Sequence, residues 1–195
     1  GAGVAGWLWW WRTHPSACPY SQRVWVSVPH PIITRRRLRE VLEPIPGERV
    51  LEIGPGTGYY TVELAGWLAP GGQLDIFDLQ QEMLDHTMER VRRGAQPTPV
   101  VPTQGDATAL PYADGTFDAV VLTTVLGEIP DQDAALREVR RVLKPTGRLV
   151  VGEVAVDPHL VTLGTLERRG GTAGLRLEKR SGSALGYFAR LRPAS

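Results

Sequence analysis

Apolar residues along the chain fall into two alternating patterns. Short, nearly unbroken apolar runs occur at 47–53 (GERVLEI), 73–79 (QLDIFDL), 98–106 (TPVVPTQGD), 117–125 (FDAVVLTTV) and 147–156 (GRLVVGEVAV). Runs of that length bounded by Gly and Pro predict strands, and the unrelieved apolarity of 117–125 suits a strand buried on both faces. Between them the period changes to that of a helix. TRRRLREVLEPI (34–45) places Leu38, Val41 and Leu42 on one stripe, with Thr34 as N-cap and Pro44 and Pro46 as stops. YYTVELAGWLA (59–69) is stopped by Pro-Gly-Gly, and QQEMLDHTMERVRR (80–93) aligns Met83, Leu84, Met88 and Val91. DQDAALREVRRVLK (131–144) opens on Asp and carries Lys144 near its end, a distribution that complements the helix dipole. A further helix is expected around 160–169, then two strands within 175–191 joined at Ser181–Ser183.

Strands and helices alternating at this spacing predict βαβ units: an α/β, doubly wound, mostly parallel sheet with helices on both faces. The closing hairpin predicts an antiparallel edge strand. With 195 residues and no linker or repeat, the expectation is one domain, 34–195, preceded by an arm, 1–33.

Charge distinguishes that arm. Through residue 39 the chain carries Arg12, Arg23, Arg35, Arg36, Arg37 and Arg39 and no acid, which leaves 16 basic against 21 acidic residues beyond it. The net charge of +1 thus hides a basic arm on an acidic body. The only lysines are Lys144 and Lys179, a bias read as a GC-rich genome rather than as nucleic-acid binding. The single cysteine, Cys18, excludes an intramolecular disulfide framework and a cysteine-rich metal site, and suits a reducing, cytoplasmic setting. Four of the six tryptophans lie within GWLWWWR. Eleven apolar residues at the start fall short of the roughly 18 a membrane span requires, and no basic region precedes them as in a signal peptide. Trp beside Arg suits peripheral contact with a membrane interface. Packing on the sheet, lining an acceptor pocket and a dimer contact are the other readings.

The chemistry gathers at VLEIGPGTGYYT (50–61), where Gly54, Gly56 and Gly58 lie between a strand and a helix. Glycines there let the backbone turn and approach a ligand, and the helix N-terminus offers unpaired N–H groups. A dinucleotide fingerprint would need a third glycine at position 59, where Tyr59 stands, and a Walker loop would need a lysine. Pyrophosphate is therefore disfavoured, and Glu52 suits a ligand carrying an ammonium group.

These residues resemble a family. VLEIGPGTGYYTVELA is similar to the first motif of the class I S-adenosylmethionine-dependent methyltransferases. LDIFDLQQEML resembles the second-strand motif, and the segment 104–153 resembles the central block of the type 11, ubiquinone-biosynthesis-like branch that acts on small molecules. The resemblance covers about 47–155. It implies a Rossmann-like seven-stranded sheet. It implies S-adenosylmethionine held by Glu52, Gly54, Pro55, Gly56, Thr57 and Gly58, with further contacts at Leu79, Gly105 and Thr123. Asp78 would bind the ribose hydroxyls, and Asp106 with Ala107 would face the adenine. A helix-cap role for Asp78 and a turn role for Asp106 stand beside those assignments.

The acceptor is narrowed by absences. The Asn/Asp-Pro-Pro-aromatic motif of amino-methylating DNA enzymes is replaced here by TTVLGEIP, and the Pro-Cys nucleophile and multiple cysteines of other branches are missing. Nucleic acid and arsenite fall away, and no metal is expected. A small-molecule or lipid acceptor remains, above the fourth and fifth strands as the resemblance implies. His14, Tyr20, His30, Glu128 and His159 are the candidates to contact it, His30 between two prolines foremost within the arm. The alternatives are a non-catalytic S-adenosylmethionine-binding module and a nicotinamide oxidoreductase.

Overall fold

The computed structural model describes residues 32–94 and 96–194. Helix α1 (Arg35–Leu42) begins where Thr34 accepts a hydrogen bond from the Arg37 amide at 3.3 Å. Five parallel strands follow with their connections: β1 (Arg49–Ile53), α2 (Thr61–Trp67), β2 (Gln73–Asp78), α3 (Gln81–Arg93), β3 (Val100–Gln104), β4 (Phe117–Thr123), a 3-10 turn (Leu126–Glu128), α4 (Gln132–Val142) and β5 (Leu143–Val154). The chain closes with α5 (Leu163–Thr172), β6 (Leu175–Ser183) and β7 (Gly186–Pro193).

The seven strands are ordered β3-β2-β1-β4-β5-β7-β6. Strand order reverses between β1 and β4, so the connections leaving these two strands diverge and open a crevice above their C-terminal ends. β7 is antiparallel to both β5 and β6 and lies between them. The antiparallel strand is therefore internal, and the edge strand β6 runs with the rest of the sheet.

Alternation along the strands fills two layers. Val50, Leu74, Ile76, Val121, Val150 and Phe188 pack with Leu38, Val41 and Leu64 from α1 and α2. Leu51, Ile53, Phe77, Val120, Leu122 and Val151 pack with Ala135, Leu136 and Val139 of α4 and Leu166 of α5. Pro102 sits inside β3, which tolerates it because β3 is an edge strand pairing only with β2.

Three boundaries move from the sequence expectation. Helix α4 ends at Val142, so Lys144 belongs to β5 and its Nζ bonds Asp118 at 2.6 Å; Arg140 and Arg141 serve the helix's last turn instead. Helix α5 starts at Leu163 because Thr162 caps it, accepting from the Thr165 amide. The final hairpin turns at Ala184–Leu185 rather than at Ser181–Ser183, which belong to β6. Gly182 adopts a φ of 119° within that strand instead of forming the turn.

Candidate functional site

The glycine loop rises from the end of β1 into the crevice. Gly54, Gly56 and Gly58 all have positive φ, at 68°, 57° and 76°. Gly54 carries a second constraint: a Cβ built on it would lie 2.3 Å from Val125 Cγ2, so the loop passes hard against the segment leaving β4. Its amide donates to the Phe77 carbonyl at 2.8 Å, continuing the β1–β2 ladder. Helix α3 braces the loop from the other side. Thr87 Oγ1 donates to the Gly56 carbonyl at 2.9 Å, and Arg90 Nη1 to that of Thr57 at 3.3 Å. Pro55 is buried within the turn.

Glu52, two residues before Gly54, faces the α1–α3 layer and is 3% exposed. Its Oε2 accepts a hydrogen bond from Thr61 Oγ1 at 2.6 Å. Burial pushes its carboxyl up to about 7, and the negative Asp78 adds to the shift while the Thr61 bond opposes it.

Asp78 closes β2. Its Oδ1 accepts the Gln80 amide at 2.9 Å, one residue before the α3 helix begins, so it fixes the turn entering α3. Burial raises its carboxyl above the ordinary range. Leu79 beside it is exposed. Gly105 joins this region to the loop after β3: its amide donates to the Asp78 carbonyl at 3.0 Å, and a Cβ on it would meet Phe77 Cζ at 2.6 Å. Asp106 Oδ1 accepts from both the amide and the hydroxyl of Thr108 at 2.8 Å, bonds that lower its carboxyl below the usual range. Ala107 behind it is buried.

Two hydroxyls in this region are buried and without a hydrogen-bond partner: Thr57 Oγ1 in the glycine loop and Thr123 Oγ1 at the end of β4. Buried hydroxyls are ordinarily paired. One stands in the loop that follows β1 and the other at the end of β4, on either side of the switch point, a placement that suits a polar ligand between them. The glycine loop, Asp78 and Asp106 all stand at the C-terminal edge of adjacent strands, so the residues present fit a nucleoside carrying an amino-acid tail. Among the described residues no group of three or more His, Cys, Asp or Glu side chains is arranged to hold a metal.

Of the candidates to contact an acceptor, Glu128 ends the 3-10 turn after β4, and the nearly buried His159 side chain belongs to the connection after β5. The two segments touch, because a Cβ on Gly127 would lie 1.8 Å from the His159 carbonyl oxygen. His14, Tyr20, His30 and the Trp-rich arm lie outside the described residues.

Sequence reasoning missed Glu153. This next-to-last residue of β5 is 1% exposed, with Oε2 accepting the Val161 amide at 3.2 Å and Oε1 unpartnered. Burial pushes its carboxyl well above the ordinary range, reinforced by Asp157 and Glu128. The signal that could have found it is an acid inside an apolar strand run, VVGEV, the same signal that marked Glu52 in VLEI.

The chain is similar to known proteins in sequence and in fold. The demethylmenaquinone methyltransferase of Mycolicibacterium vanbaalenii is 43% identical over 125 residues, 64% of this chain and 50% of the relative. The ubiquinone/menaquinone biosynthesis C-methyltransferase UbiE of Pasteurella multocida is 38% identical over 115 residues, 57% of this chain and 43% of the relative. The chain thus spans about half the length of these curated relatives. The solved structure of an S-adenosylmethionine-dependent methyltransferase from Aquifex aeolicus superposes with a TM-score of 0.79 over 89% of this chain and 97% of that one, at 20% identity, and shows the fold. The family described as methyltransferase domain matches residues 51–151, which run from the strand before the glycine loop through the strand beyond the switch point. With that match covering more than half of the chain, and with Glu52, the glycine loop, Asp78 and Asp106 inside it, the chain belongs to the class I S-adenosylmethionine-dependent methyltransferases.

Proposed function

We propose that this chain transfers a methyl group from S-adenosylmethionine to a carbon of a reduced quinone or a similar lipid-like ring. The observation that carries this reading is the identity to relatives named for demethylmenaquinone and ubiquinone/menaquinone methylation. When bound, the cofactor supplies an electrophilic methyl group on a sulfonium sulfur. The protein's part is orientation and exclusion of water. The glycine loop and Glu52 would hold the amino-acid end, with Thr57 and Thr123 offering hydroxyls beside it. Asp78 would take the ribose, and Asp106 with Ala107 the adenine. Gly105 and Leu79 complete that wall. Glu128 and His159 stand on the side where the ring would enter, above β4 and β5.

We place the protein in the cytoplasm, with peripheral membrane contact through the Trp-rich arm. Liposome sedimentation with and without residues 1–12 tests the contact, and unchanged binding on truncation argues against it. Among the described residues no helix is long and apolar enough to cross a membrane.

The experiment for the reaction supplies methyl-labelled S-adenosylmethionine and a reduced short-chain demethylmenaquinone. Label recovered in the extracted quinone supports the reading. Binding of S-adenosylhomocysteine without transfer to any quinol would favour the non-catalytic binding module.

A further inference from the structure

Glu153 has no part in the cofactor site, yet its surroundings are specific. Its cross-strand partner on β7 is Tyr187. The two side chains grip the two backbone groups of one residue. The Val161 amide donates to Glu153 Oε2 at 3.2 Å, and the Tyr187 hydroxyl donates to the Val161 carbonyl at 2.6 Å. The Val161 side chain is itself buried in the core layer beneath α4 and α5. Segment 155–162, which joins β5 to α5, is thereby held at its far end.

That segment lies on the acceptor side of the crevice. Its His159 carbonyl occupies the space beside Gly127 where any side chain would stand. The segment containing Gly127 leads back through Val125, whose methyl groups press on Gly54 of the glycine loop. A shift of 155–162 therefore changes the wall against which 124–129 rests.

We propose that Glu153 is a positioning residue for the acceptor side of the site, clamping segment 155–162 against Gly127 through Val161. It rests on the proposed function only in assigning that side to the acceptor; the clamp itself does not. The carboxyl works in its neutral form. An ionised carboxylate with one unpartnered oxygen in a closed apolar layer is costly, and Glu128 from the 3-10 turn and Asp157 from the segment itself add negative charge. The other titratable group facing it is Tyr187 on β7, and His159 on the same segment stands beside Asp157, with Nδ1 4.0 Å from Oδ1. Deprotonation at high pH should open the clamp.

Amide hydrogen exchange of peptides covering 155–162 tests this on the whole chain, without cofactor or acceptor. Glu153→Gln, which keeps the acceptor oxygen and the shape, should be protected like the wild type at neutral pH. Glu153→Ala and Tyr187→Phe should each exchange about tenfold faster there, the value of one hydrogen bond. Raising the pH should lower protection in the wild type relative to Glu153→Gln. Equal protection in wild type and Glu153→Ala, or the same pH response in wild type and Glu153→Gln, would overturn the clamp. With reduced demethylmenaquinone as the probe, Glu153→Ala should raise the acceptor KM several-fold while the affinity for S-adenosylhomocysteine holds; an unchanged KM would overturn the positioning role. Absence of turnover by the wild-type chain would count against the proposed function, and the exchange comparison would still decide the clamp.

Discussion

Glu52 and Thr61 form a buried carboxyl–hydroxyl pair, 2.6 Å from Oε2 to Oγ1, between the strand that precedes the glycine loop and the helix that follows it. Glu52 takes no part in the described ion pairs, so burial governs its titration. The native state holds the proton up to about pH 7, whereas the unfolded chain loses it near the ordinary value of 4.5. Stability from this group is complete below the unfolded value and is lost as pH rises through the native one. The loss amounts to roughly 3 kcal/mol. Urea denaturation should therefore show Glu52→Gln more stable than wild type at pH 8 and closer to it at pH 4. Parallel pH profiles for the two proteins would contradict the assignment.

The same group makes cofactor binding proton-linked. If the ammonium end of the cofactor lies beside Glu52, binding favours the ionised carboxylate and releases up to about one proton near pH 6. Calorimetric titrations with S-adenosylhomocysteine in buffers of different ionisation enthalpy read that proton directly. Release should vanish in Glu52→Gln; its persistence would place the ammonium elsewhere.

Gly54 is under two separate constraints, a φ of 68° and the Val125 methyl groups 2.3 and 2.9 Å from where a Cβ would stand. The left-handed conformation alone costs a non-glycine residue roughly 1–2 kcal/mol. Gly54→Ala should lower stability by more than that and weaken S-adenosylhomocysteine binding, and adding Val125→Ala should restore only the steric part. Full restoration, or no effect of Gly54→Ala, would contradict the geometry.

Arg148 fastens α1 to the sheet. It is nearly buried, forks onto Glu48 at 2.8 and 2.7 Å, and donates to the carbonyls of Leu42 and Glu43 at 2.5 and 3.1 Å. Removing one partner of a buried pair strands the other, at a cost of roughly 3–5 kcal/mol. Arg148→Ala should lose that much in chemical denaturation. Arg148→Lys should recover only part of it, because a single ammonium cannot reproduce the fork. A loss below about 1 kcal/mol, the level of an exposed pair, would show that the bridge is solvated.

The sheet was legible because five apolar runs and the helical stripes between them obey the two periods that burial imposes. The glycines and acids singled out in the sequence cluster at strand ends: Glu52 next to last in β1 with the glycine loop just past it, Asp78 closing β2, and Gly105 and Asp106 following β3. Strand order within the hairpin was not: 175–191 pairs with itself under either placement, and which strand meets β5 depends on tertiary packing. Glu153 escaped notice because acids inside strands read alike. Asp75 in β2 is neutralised by a two-point bond to Arg49 at 2.9 and 2.8 Å, whereas Glu52 and Glu153 meet a hydroxyl and a backbone amide. Only the fold distinguishes an ion pair from a buried carboxyl without a cation.

The central claim is that this crevice takes S-adenosylmethionine. Calorimetric titration of the wild-type chain and of Asp78→Ala with S-adenosylhomocysteine and with NAD tests it most directly. The wild type should bind S-adenosylhomocysteine saturably and NAD not at all. Asp78→Ala should bind S-adenosylhomocysteine about a hundredfold more weakly, through the loss of two charge-assisted hydrogen bonds. Binding of NAD without S-adenosylhomocysteine, or equal affinity of wild type and Asp78→Ala, would contradict it.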